Sequence, residues 1–309
     1  MAYNLKEQMS KPERFEAGHR LCAGCGAGIT CRAMMRAMEP GDKAVICNAT
    51  SCLEVSSFQY PFTAWDDSYI HAAFENTSAV AAGVESAYKV MKKKGKIQDN
   101  FKILAIGGDG GTYDIGFQSL SGALERGHDF TYFCYDNEAY MNTGTQRSSA
   151  TPRFASATTT PAGVESVGKK QNQKDLTQIV VAHGSPYVAQ TTFLGNFKDF
   201  HEKARKAIYT EGPTFVNVLC PCPRGWQYSA ELLPEICRLA VDTCIWPLYE
   251  VENGEYHLTY MPKKKLPVEE FMKLQGRFRH CFKPGNEWTI EAAQNYVDEK
   301  WEALLAKCK

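Results

Sequence analysis

A glycine-rich turn carrying one acid, and an Asp-Asn pair one helix and one strand later, are the features of this chain best suited to chemistry. The apolar run at 103–106 ends in Gly107-Gly108-Asp109-Gly110-Gly111. The run at 130–136 ends in Asn137-Glu138-Ala139. A glycine turn after a strand lets backbone N–H groups approach a phosphate, and the N-terminus of the next helix favours its charge. Bound phosphate usually brings Mg²⁺, which takes carboxylate, carbonyl and phosphate oxygens. Asp109 offers a carboxylate, Asn137 an amide oxygen and Ala139 a backbone carbonyl. Gly-Asp-Gly by itself marks many ordinary turns; here an apolar strand precedes each half.

Twelve cysteines are the second chemical group. In a reducing compartment they are metal ligands more readily than disulfides. Cys22 and Cys25 form a Cys-Ala-Gly-Cys turn, Cys47 and Cys52 flank Asn-Ala-Thr-Ser, and Cys220 and Cys222 sit in Cys-Pro-Cys-Pro. A Cys-x-x-Cys turn with two remote thiolates can bind Zn²⁺ or an iron–sulfur cluster, or stay uncoordinated. The remote cysteines do not form the second paired knuckle usual for structural zinc, and they fall at turns near the phosphate motif, which favours a cluster. Cys31, Cys134, Cys237, Cys244, Cys281 and Cys308 fall mostly in regular helix or strand patterns and read as small hydrophobic fillers.

Gly108-Asp109-Gly110, residues 111–136 and Asn137 resemble the diphosphate-binding motif of thiamine-diphosphate enzymes, Gly-Asp-Gly followed after 26 residues by Asn. A wider set is similar to the beta subunit of 2-oxoacid:ferredoxin oxidoreductases, nearest its pyruvate:ferredoxin branch. It comprises Cys22-Ala-Gly-Cys25, Asn48-Ala-Thr-Ser-Cys52, Tyr140-Met-Asn-Thr-Gly, Cys220-Pro-Cys222-Pro-Arg-Gly-Trp and Leu274-Gln-Gly-Arg-Phe-Arg-His. The resemblance covers nearly the whole chain. It implies thiamine diphosphate beside Gly108, Gly110, Gly111 and Thr143, with Mg²⁺ on Asp109, Asn137 and the Ala139 carbonyl. It implies a catalytic Asn142 facing the substrate, and one [4Fe–4S] cluster on Cys22, Cys25, Cys52 and Cys222. The chain departs from the family at Ser51, usually Gly, and at Cys220, usually not Cys. Cys47 and Cys220 therefore stand as rival ligands.

The activity so implied is oxidative decarboxylation of a 2-oxoacid, pyruvate first, with coenzyme A and with electrons passing through the cluster to ferredoxin. Oxalate, 2-oxobutyrate and 2-oxoglutarate enzymes share this subunit plan. A non-oxidative thiamine-dependent lyase with structural zinc is the alternative from another class. The chain holds no Cys-x₂-Cys-x₂-Cys-x₃-Cys-Pro run, so a ferredoxin-type delta subunit or domain is expected as a partner. Alpha and gamma subunits are expected to supply the domain whose glutamate activates the aminopyrimidine.

Elements must bring these turns together. Candidate strands fall at 43–49, 102–107, 130–136, 187–192 and 214–219, and candidate helices at 27–38, 73–93, 114–126, 174–183, 196–210 and 230–243. Alternation of this kind predicts an α/β fold, a doubly wound, mostly parallel sheet with ligands beyond the strand carboxyl ends. Residues 145–172 read as a long functional loop. A hairpin around Asn253-Gly254, a helix reaching about Arg279 and a final helix over 289–306 follow. The expected division is 1–244 for cofactor and cluster and 245–309 for a C-terminal arm. Arg277 and Arg279 read as groups for a partner subunit, and His71 as structural.

Composition excludes several classes. The chain has 309 residues, 44% of them apolar, enough for a full core. Its 35 basic and 35 acidic residues cancel, which argues against nucleic acid or a membrane surface as partner. No long apolar run or signal-peptide shape is present, so a cytoplasmic location is expected.

Overall fold

The computed structural model describes residues 4–308. The chain runs α1 (Leu5–Ser10), α2 (Gly26–Met35), β1 (Lys43–Ala49), α3 (Cys52–Ser57), a small hairpin of β2 (Phe58–Gln59) and β3 (Phe62–Thr63), β4 (Ser68–Ala72) and α4 (Thr77–Lys93). Then come β5 (Phe101–Gly108), a π-turn (Gly110–Ile115), α5 (Phe117–Glu125), β6 (Thr131–Asp136), α6 (Leu176–Val181), β7 (Tyr187–Thr191), α7 (Phe197–Tyr209) and β8 (Thr214–Leu219). The rest is α8 (Pro223–Trp226), α9 (Leu233–Asp242), β9 (Tyr249–Glu252), β10 (Glu255–Leu258), α10 (Val268–Met272), a 3₁₀ turn (Gly276–Phe282) and α11 (Glu287–Lys307).

One eight-stranded sheet has the order β10-β9-β7-β8-β6-β5-β1-β4. Six strands are parallel, and β9 adds antiparallel to β7. Strands β6, β7 and β8 are buried at every position, as a parallel sheet covered on both faces requires. The two-residue period sorts each strand between two cores. Ile103 and Ala105 of β5 pack with α4 and α5 through Ala81, Ala82, Leu120 and Ala123. Leu104 and Ile106 point the other way, to Met34 and Met35 of α2 and Phe200 and Ala204 of α7. The sheet is thus doubly wound.

Topology opens the site. After β1 the chain leaves towards β4, and after β5 it leaves towards β6, on the opposite side. A crevice forms at the carboxyl ends where neighbouring strands send their connections apart.

The five expected strands are present, but β4 and the β2–β3 hairpin were not expected. Ser68–Ala72 is an edge strand with one fully buried position, too weak a pattern to register. The helix expected from Ala73 begins at Thr77, because residues 73–76 form a turn after β4 that Asn76 N–H closes on the Ala73 carbonyl. The helix expected at 114–126 opens as a wide π-turn: Ser149 binds the Asp114 carboxylate, and Tyr140 donates to the Gly110 carbonyl. Asn253 and Gly254 both have positive φ, +50° and +88°, and form the two-residue turn of β9–β10. The helix expected up to Arg279 ends at Met272, and a separate 3₁₀ turn starts at Gly276, whose N–H donates to the Gln227 carbonyl at 3.1 Å.

Residues after 245 pack against the same body. Trp246, Leu248 and Val251 share a core with Phe271, Val297, Trp301 and Leu304, and also with Leu219 and Trp226.

Candidate functional site

Three strand ends meet in one cavity of about 30 Å³. Thr50, Ser51 and Cys52 come from β1, Gly108 to Gly111 from β5, and Asn137, Ala139 and Tyr140 to Thr143 from β6. Gly108 to Gly111, Asn137, Ala139 and Asn142 are therefore in one place. The cavity has room for a cation and its waters but not for a large organic cofactor, whose body has to lie on the open side. A larger cavity, about 160 Å³, lies beneath α11 and contains none of the sequence-derived site residues.

Asp109 is 1% exposed. Ser148 Oγ donates to its Oδ2 at 2.5 Å, and the Asn137 N–H to its Oδ1 at 3.3 Å. Burial pushes its carboxyl up to about 7, against those two hydrogen bonds. It has no cationic partner among the described residues. Burial also raises Asp136 and Glu138, and the neighbouring carboxylates add to the rise at Asp136. Tyr113 donates to Asp136 at 2.7 Å, and Arg277 pairs with Glu138.

The side-chain oxygen of Asn137 faces acceptors only. Turned over, its nitrogen would donate to the Ala139 carbonyl at 2.8 Å and to Asp109 Oδ1 at 2.9 Å. The Asn137 amide, the Ala139 carbonyl and the buried Asp109 carboxylate converge, and oxygens of these kinds are the donors a hard cation takes. The residues fit Mg²⁺ by oxygen chemistry and by the local excess of negative charge. Asn142 is exposed at the cavity rim. Thr143 is held by Tyr140 and Gln146.

The cysteines follow a different rule. Cys25 caps α2, Cys52 is the first residue of α3, and Cys222 caps α8. Helix N-termini favour thiolate over thiol. The Cys22–Cys25 turn closes through a 3.1 Å backbone bond, and Gly26 N–H donates to the Pro221 carbonyl at 3.3 Å, so this turn lies against the Cys222 loop. Gly225 N–H points at the Cys222 sulfur, 3.3 Å away.

Burial raises the Cys25 and Cys222 thiols and lifts Cys52 to about 12. Charge on Cys222, Cys25 and Cys22 adds to the rise at Cys52, so the four share one electrostatic neighbourhood. Cys47 is lifted to about 12 by burial alone. Cys220 is 1% exposed, and the charge of Cys237 weighs on it more than that of Cys25. Among the described residues, no three His, Cys, Asp or Glu side chains close on one point as a metal cage. Cys25, Cys52 and Cys222 match a soft group by donor chemistry and helix-end placement, and Cys22 by donor chemistry from the adjoining turn, as neighbours rather than as a closed cage.

Sequence reasoning missed several residues that frame the site: Ser148, Glu138, Trp226 and Arg277. Glu138 carried a signal, a charge set between two prospective ligands, and Trp226 and Arg277 lay in the quoted motifs without a role in the site. His71, read as structural, pairs with Glu54 at 2.7 Å.

The fold is that of thiamine pyrophosphate enzymes: the family described as thiamine pyrophosphate enzyme, C-terminal TPP binding domain, matches residues 21–218. The chain is 52% identical to pyruvate synthase subunit PorB of Methanocaldococcus jannaschii, over 96% of this chain and 98% of that one. It is 49% identical to the Thermotoga maritima subunit of that name, over 99% and 96%. It is 44% identical to ketoisovalerate oxidoreductase subunit VorB of Pyrococcus furiosus, over 97% and 96%. The chain belongs to the beta-subunit family of 2-oxoacid:ferredoxin oxidoreductases, in its pyruvate synthase branch. A solved 2-oxoglutarate:ferredoxin oxidoreductase from Magnetococcus marinus shares the fold, with a TM-score of 0.57 and 21% identity over 77% of this chain and 81% of that one. Among the described residues, no helix is long and apolar enough to cross a membrane.

Proposed function

We propose that this chain is the cofactor-holding subunit of an enzyme that oxidatively decarboxylates pyruvate with coenzyme A and passes the electrons to ferredoxin. The carrying observation is that Cys52 lines the same cavity as Asp109, Asn137 and Asn142. That cavity sets a hard oxygen site against a soft sulfur neighbourhood. Asp109, Asn137 and the Ala139 carbonyl hold Mg²⁺, and the glycine turn meets the diphosphate. Cys22, Cys25, Cys52 and Cys222 hold one [4Fe–4S] cluster. When bound, thiamine diphosphate supplies the nucleophilic carbon and electron sink, and the cluster accepts single electrons. Asn142 directs its amide at the oxo or carboxylate oxygen of the substrate.

Only part of a cofactor site is built from this chain. The small cavity leaves the aminopyrimidine to alpha and gamma subunits, and a ferredoxin-type delta subunit takes the electrons. Residues 1–244 carry cofactor and cluster, and 245–309 form an arm that braces them. The reading places the complex in the cytoplasm.

The test uses the assembled complex. Iron, sulfide and EPR analysis of single Cys→Ala variants should show loss of the cluster at positions 22, 25, 52 and 222. The cluster should be retained at positions 47 and 220. Normal iron in Cys52→Ala with loss in Cys47→Ala would reverse the assignment. Turnover of a 2-oxoacid panel then identifies the acid; no activity with pyruvate beside activity with another acid would overturn the substrate.

A further inference from the structure

The Leu274–His280 motif has no task in the site described so far, and its Arg277 is 2% exposed. The sequence reading turned this arginine towards a partner subunit. Instead its guanidinium pairs with Glu138 Oε2 at 2.5 Å, within the chain and 139 residues away. It lies 3.7 Å from the centre of the Trp226 ring, and its Nε donates to Gln275 Oε1 at 2.8 Å. A planar guanidinium suits such a stacked, paired setting where a lysine does not.

Each contact leads to a different half of the site. Glu138 lies between the metal-site residues Asn137 and Ala139, with φ +65°, and Gln173 donates to its other oxygen at 3.0 Å. Trp226 ends α8, which Cys222 caps, and its indole N–H donates to the Asn137 carbonyl. A Cβ at Gly276 would lie 2.7 Å from Gln227 Cβ, so the motif needs glycine to seat against the end of α8. The positive charge of Arg277 is felt at Cys222.

We propose that Arg277 is a positioning residue that fixes the Cys222 loop against the Asp109–Ala139 oxygen set and keeps a buried positive charge beside that loop. This rests on the cluster reading above. A cluster gains negative charge on reduction, so a nearby cation raises its potential and a nearby anion lowers it. Arg277 and Glu138 therefore act with opposite signs, while both hold the two loops in register.

The test compares R277Q, R277K and E138Q in the assembled complex by iron and sulfide content, EPR-monitored redox titration and thiamine diphosphate affinity. R277Q should keep iron but disfavour cluster reduction about tenfold, about 59 mV for a one-electron couple. Its thiamine diphosphate affinity should fall several-fold, and kcat should drop with KM near wild type. R277K should keep the wild-type potential, and E138Q should shift it positive. Wild-type potential and affinity in R277Q would overturn the proposal. So would shifts of one sign in R277Q and E138Q, the mark of a merely structural defect. Should R277Q not accumulate, equal potentials in R277K and E138Q overturn it. A wild-type complex without iron defeats the cluster reading itself; an iron-bearing wild type with unaltered variants defeats only Arg277.

Discussion

Trp226 donates its indole N–H to the backbone carbonyl of Asn137 at 2.8 Å. One end of this bond belongs to the helix that Cys222 opens, the other to the turn that carries the proposed oxygen ligands. The Cys222 helix and the Asn137 turn are thus joined by a buried contact, beside the Arg277–Glu138 pair. Without the donor, the Asn137 carbonyl loses its partner in a dry setting, which costs about 1–3 kcal/mol. Trp226→Phe keeps a ring under Arg277 and removes only the N–H. Its melting temperature should fall, and thiamine diphosphate affinity in the complex should weaken several-fold with iron retained. Unchanged melting and affinity would mean that the bond positions nothing.

Asp109 shows a site built at the expense of stability. Its carboxyl is buried without a cation, a disposition that costs free energy until a cation arrives. Asp109→Asn should therefore raise the melting temperature of the cofactor-free chain, by about 1.5 °C for each kcal/mol gained. The same change should abolish Mg²⁺-dependent thiamine diphosphate binding in the complex. Asn137→Ala should weaken that binding less, because a neutral ligand is lost. Calorimetry showing undiminished affinity in the Asp109 variant would refute the ligand assignment.

The legible parts of this fold and the hidden ones differ in physical kind. Buried parallel strands are continuous apolar runs, so 43–49 and 214–219 were readable to the residue. The oxygen set was readable because its members follow such strands at a fixed spacing. The clamp was not, because Glu138 and Arg277 are 139 residues apart and a charge in sequence looks the same paired or solvated. Edge strand β4 was hidden by its mixed exposure, and the π-turn after Asp109 by contacts from a loop more than thirty residues away. The motif around Gly276 was visible as a pattern, but its role depends on a close approach to Gln227 that no periodicity encodes.

His201 on α7 makes the folded state sensitive to acid. Burial, then the positive charges of Lys11 and Arg205, hold its imidazole down to about 4, against the pull of Glu39. The unfolded chain keeps the ordinary value near 6.5. Between these two values the unfolded state binds more protons, so stability falls as pH falls from about 6.5 to about 4. Thermal melts across that range should show the decline, and His201→Gln should flatten it. An equally steep decline in the variant would assign the acid sensitivity to other groups.

A substitution at Asn142 can tell substrate recognition from cofactor retention. It stands exposed on the rim of the cavity, whereas Asp109 and Asn137 lie buried within it. A rim amide has nothing to hold in the free chain and is placed to meet a ligand that arrives last. Asn142→Ala should leave iron content and thiamine diphosphate affinity of the complex unchanged. Its kcat/KM for the 2-oxoacid should fall roughly ten- to a hundredfold, the loss of about 1.5–3 kcal/mol for a hydrogen bond to a charged group. The isolated chain should be inactive with every oxoacid, because the glutamate that activates the aminopyrimidine is proposed to lie on another subunit. Steady-state kinetics of the variant complex, and of the wild-type chain alone, decide both points. A lowered cofactor affinity in Asn142→Ala would move this residue from the substrate to the cofactor, and turnover by the lone chain would mean that a complete active site lies within these 309 residues.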